Sequence, residues 1–168
     1  MDLAVRFGAT ALIVAAAMPS TSFFSATIRG VIDAELHGRS EFGTVASSGS
    51  PSRFTIRLGA ADDESAILIT GAAGADLRPG TYPVSEADEP TSVRVLVVTG
   101  GVEKPSGVFR GHTGVVTITS TEHGTLTGHF ELRATGFLAG EPALDDRPIA
   151  VKGAFAVVAG APGKEVTP

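Results

Sequence analysis

Two stretches in the second half of the chain decide the fold: Thr125–Ala134 (TLTGHFELRA) and Ile149–Val158 (IAVKGAFAVV). In the first, Leu126, Gly128, Phe130, Leu132 and Ala134 fall on one side of an extended chain. Thr125, Thr127, His129, Glu131 and Arg133 fall on the other. In the second, Ile149, Val151, Gly153, Phe155 and Val157 share a side. A period of two is the mark of a strand with one face in a core and one in water. Each stretch also carries a Gly-x-Phe element, Gly128-His129-Phe130 and Gly153-Ala154-Phe155. An inward glycine removes a side chain where a strand coils sharply or where a neighbouring ring lies over its backbone. The favoured reading is therefore a kink filled by phenylalanine, with a ligand cavity as the alternative.

The same alternation extends outward from this pair. Gly114–Thr121 (GVVTITST) places Val116 and Ile118 inward, and a His123-Gly124 turn joins it to the next strand. Arg53–Gly59 (RFTIRLG) places Phe54, Ile56 and Leu58 inward. Ser25–Gly38 (SATIRGVIDAELHG) reads as one long half-buried strand, with Val31 out of pattern. Ser65–Thr70 is a short apolar strand, and Val93–Thr99 (VRVLVVT) is apolar on both sides after Arg94, as if covered on both faces. Three connections are longer: Ala60–Glu64, Gly71–Glu89 with a short extended piece at Gly80–Val84, and Thr135–Pro148. Strands with period-two patterning, joined by glycine-rich turns, predict an all-β domain. The expected architecture is an antiparallel up-and-down barrel or β-sandwich of about eight to ten strands.

The N-terminal segment reads as an address. Arg6 precedes the apolar run Gly8–Met18, which is too short to cross the roughly 30 Å hydrocarbon core of a membrane. Ala15 and Ala17, or Ser20 and Ser22, supply a cleavage site. The expected organisation is a secretory signal helix over 1–22, one β domain over 23–160 and a disordered tail over 161–168, with the mature protein secreted or periplasmic.

Composition narrows the function classes. The 168 residues suit one domain and, with no cysteine, exclude disulfides, thiolate metal sites and a lipidated N-terminal cysteine. The net charge of −5, with basic residues scattered singly along the chain, argues against nucleic acid as a partner. There is no Gly-x-Ser-x-Gly elbow, so no catalytic residue is assigned and the protein is read as non-enzymatic. His37, His112, His123 and His129 lack the spacing of a zinc site, and the acidic loops lack that of a calcium site. No metal or cofactor is expected.

Leu126-Thr127-Gly128-His129-Phe130, followed by a second Gly-x-Phe strand, resembles strands of avidin-type barrels. That resemblance implies a small eight-stranded barrel with an end cavity. Avidin-type biotin sites rest on tryptophans, and this chain has none. A broader pattern, Phe24–Gly30, Gly114–Thr119, Leu126–Phe130 and Val151–Phe155, is similar to that of uncharacterised exported bacterial β-proteins. It implies fold and export. The functional expectation is a non-catalytic extracytoplasmic module that binds a small apolar ligand or a protein partner. An assembly subunit of a surface structure comes second, with self-association, and a small secreted hydrolase third. Tyr82 and Phe137, aromatics on long connections, are the candidate residues at a binding mouth.

Overall fold

A computed structural model describes residues 22–47, 50–61, 65–71, 77–87, 89–101, 105–120, 124–140 and 147–158. The expected signal segment, apart from Ser22, and the expected tail lie outside the described residues. Nine strands follow in order: β1 (Phe23–Gly30), β2 (Ala34–Ser47), β3 (Ser50–Ala60), β4 (Ala66–Gly71), β5 (Gly80–Pro83), β6 (Val93–Thr99), β7 (Gly107–Ser120), β8 (Thr125–Leu138) and β9 (Arg147–Val158). Eight of them close a barrel in which every pairing is antiparallel: β1-β2-β3-β4-β6-β7-β8-β9, with β9 returning to β1. The fold is thus an up-and-down barrel. The ninth strand, β5, shares one edge of β7 with β6: β6 pairs with Gly107–Arg110 and β5 with Val115–Ile118.

The interior is made by the alternation that the sequence shows. Phe24, Ile28, Phe54, Ile56, Leu58, Ile67, Ile69, Val95, Val97, Phe109, Val116, Phe130, Val151 and Phe155 are all buried in one core. The two Gly-x-Phe elements interlock. Gly128 stands opposite Phe155, and Phe130 opposite Gly153, on the paired strands β8 and β9. A methyl group on Gly153 would lie 2.7 Å from Phe130 Cζ and 2.5 Å from the Ser25 carbonyl oxygen. One on Gly128 would lie 2.7 Å from Phe155 Cζ. Each ring therefore occupies the space that the other strand's glycine leaves, and the two rings stack with centroids 6.4 Å apart. Phe54 covers Gly71 in the same way across β3 and β4. At the β8–β9 seam the space above each glycine is thus taken by a phenylalanine ring.

Three local readings change. Ser25–Gly38 is not one strand but two, reversing at Val31–Asp33. Gly30 adopts φ +141°, its N–H donates to Asp33 Oδ1 at 3.2 Å, and a Cβ there would meet the Pro148 carbonyl at 2.5 Å. The out-of-pattern Val31 marked that turn. β7 begins at Gly107, so His112 lies inside a strand rather than before it. The connection expected at Thr135–Pro148 is shorter, because β8 runs to Leu138 and β9 starts at Arg147. Ser47 and Ser50 pair across β2 and β3.

Candidate functional site

The two aromatic candidates do not meet. Tyr82 sits on β5 opposite Val116, packs against the core and donates its hydroxyl to the Arg78 carbonyl at 2.8 Å. Phe137 is on β8, not on a loop, and stands opposite Val108. Val108 and Val116 are eight residues apart along β7, which at about 3.3 Å per residue puts the two aromatics roughly 25 Å apart. They form no common mouth.

Phe137 nevertheless belongs to a feature of its own. Following the pairings across the outer wall, Gly59 on β3 stands opposite Ala66 on β4, Ala66 opposite Val98 on β6, Val98 opposite Val108 on β7, and Val108 opposite Phe137. This apolar row crosses five strands on the face that usually meets water. Ala66 and Val98 are buried, Val108 is half-buried, and Phe137 is 39% exposed. The next row repeats the character at its centre: Arg57, Leu68, Leu96, Arg110. Leu68 and Leu96 floor a cleft of about 440 Å³ rimmed by Thr70, Ser85, Glu86, Arg94 and Arg110. Sequence reasoning missed this surface because its members lie on five strands and only the register aligns them. The one signal was Val93–Thr99, whose two-sided apolar character is the outward pair Leu96 and Val98.

Charge is also rearranged by folding. The nine strands carry nine Lys and Arg residues but only three acids, Glu35, Glu41 and Glu131, a net +6. The rest of the chain carries the remaining four bases and fifteen acids, a net −11, which together give the −5 of the whole. Bases that look scattered in sequence are therefore gathered on the barrel wall, and the acids are concentrated in the connections and terminal segments.

The groups that could do chemistry stay apart. His37 and His129 point outward in one row, separated by Ser25 and Ala154, so three strand spacings of about 4.8 Å lie between them. His123 lies outside the described residues. Among the described residues no three His, Asp or Glu side chains group as a metal site would require. The buried Ser40 donates to the Ala156 carbonyl and the buried Ser92 to the carbonyls of Ala87 and Glu89, so both hydroxyls are held by backbone.

One further surface is set by strand length. β1 starts at Phe23 opposite the neighbourhood of Gly38, while β2 continues to Ser47. Ser40 bridges to β9 across the end of β1. Beyond it, the edge of β2 over Glu41–Ser47 that faces away from β3 has no strand partner among the described residues.

The class that these observations define is a closed eight-stranded up-and-down barrel with a core of aliphatic and aromatic side chains and one accessory strand. No family model matches the chain, and no curated protein or solved structure is significantly similar to it.

Proposed function

We propose that this is a non-catalytic extracytoplasmic module that binds a protein partner on its outer wall. The exposed Phe137 and half-buried Val108, which end the apolar row beside the Leu68–Leu96 cleft, carry the reading. An apolar strip ending in an exposed aromatic and edged by arginines has the make-up of an interface core with a polar rim. The aromatic packing across the β8–β9 seam favours the protein partner over a small apolar ligand held there. A photocrosslinking amino acid at Phe137, in protein exported with its own N-terminal segment, tests this. One discrete adduct of defined mass is expected, lost on Val108→Glu. The same probe at Arg39, on another part of the wall, is expected to give none. Adducts at both positions, or at neither, overturn the reading. The recovered chain is expected to lack the residues before about Ser22, read by intact mass.

The free edge of β2 favours a second reading, an assembly subunit, because an unpaired edge can add a strand from another copy. Its signature is a covalent dimer from the crosslinker placed at Gly43.

A further inference from the structure

The outer face of β9 is a trough. Ala150 lies there between Arg29 on β1 and Arg133 on β8, all three in one cross-strand row. One step along β9, Lys152 lies between Thr27 and Glu131. A cleft of about 500 Å³ covers this stretch, and a second of about 410 Å³ continues it past Ala150 to Pro148 and His112. The depression exists because Ala150 is small. Alanine is a weak strand former, and Thr, Val or a long charged side chain is commoner on an exposed strand face.

The charge around this floor is positive. The first cleft is lined by three cations, Arg29, Arg133 and Lys152, against one carboxylate, Glu131. Arg29 also meets Glu35 at 3.3 Å, but both side chains are more than half exposed, and such pairs hold weakly. Arg133 and Lys152 make no hydrogen bond or ion pair among the described residues. Within the cleft the cations outnumber the carboxylate, so this stretch of the wall is where an anion is attracted.

We propose that this trough binds an oxyanion group of a small ligand, a phosphate, sulfate or carboxylate, seated over Ala150 between Arg29 and Arg133. Guanidinium groups present paired N–H donors that match the oxygens of such groups, so two of them across a one-residue floor form a clamp. Lys152 adds a point charge one step further on, where a second acidic group of the same ligand would lie.

The test is a titration of the mature protein with inorganic phosphate, inorganic sulfate and succinate, followed by amide and arginine side-chain NMR shifts. Sodium chloride at matched ionic strength is the control. Saturable shifts confined to Ala150, Arg29, Arg133 and their neighbours are expected with at least one probe, and the tightest binder names the group. Arg133→Gln should weaken binding at least about tenfold, and Ala150→Glu should abolish it while the spectrum stays dispersed. Arg39→Gln, elsewhere on the wall, should leave it unchanged. Shifts that track chloride, or equal binding by Arg133→Gln, overturn the proposal.

Discussion

The seam between β8 and β9 and the ribbon of β2 and β3 are built from the same residue types and have opposite tolerances. At the seam, Gly128 and Gly153 lie under phenylalanine rings and against backbone carbonyls of the neighbouring strands. On the ribbon, Gly43 has no atom within 4 Å of where a Cβ would stand. One kind of glycine is a hole already filled, and the other is a missing side chain. What distinguishes them first is the face: Gly128 and Gly153 share the inward face with Phe130 and Phe155, whereas Gly43 is exposed on the outer face, and the outward Gly59 is open although its strand is paired on both edges. β8 and β9 are paired on both sides along most of their length, whereas β2 beyond Ser40 is paired on one side only among the described residues.

This contrast can be broken at several points, and the largest effect is expected at the ring. Phe130→Ala should cost about 3–5 kcal/mol in urea unfolding, because a fully buried aromatic leaves both its contacts and a cavity. If the loss is below about 1 kcal/mol, the seam is not packed as described. Gly153→Ala should cost roughly 1–3 kcal/mol through overpacking. Combined with Phe130→Ala, its cost should fall by roughly 0.5 kcal/mol or more, since one of the three groups that a Cβ there would crowd has gone. Strict additivity would show that the interlock is not what the glycine serves. Ser40→Ala should cost about 1 kcal/mol, the worth of a hydrogen bond whose partner carbonyl loses its donor. Gly43→Thr is the smallest and opposite case, neutral to about 1 kcal/mol stabilising by thermal melting, because it restricts the unfolded chain without a clash. A clear destabilisation there would mean that the ribbon edge is covered.

Much of the fold was legible in the chain. Alternation located five segments and apolar runs two more, and Gly-x-Phe pointed to glycines covered by rings, because these are short-range consequences of the pleat. Three things were not. The turn at Val31–Asp33 hid inside an alternation that carried across it, since Ile28, Ile32 and Leu36 kept the period while the chain reversed. The outer apolar row was illegible for a different reason: Ala66, Val98, Val108 and Phe137 become neighbours only through register, and no local pattern encodes register between strands. Phe137 could be picked out as an aromatic near a connection, but its strand and its neighbours could not. The basic trough was obscured in the same way, because Arg29 and Arg133 are more than a hundred positions apart and share only Ala150.

The closure of β1 on β9 bears on how the barrel comes into being. Every other pairing on the barrel joins strands that are successive in the chain, apart from the detour through β5, and each can form as a hairpin. Phe24 must find Phe155, 131 residues away. Closing a loop of that length costs about 2 kcal/mol more chain entropy than closing one of ten residues. Until β9 arrives, β1 and β8 both present open edges, and the sheet is an unrolled meander. Ser22 and Val158 end up joined by a hydrogen bond of 3.0 Å. Linking them covalently and opening the chain elsewhere would convert the last step of folding into one more local turn.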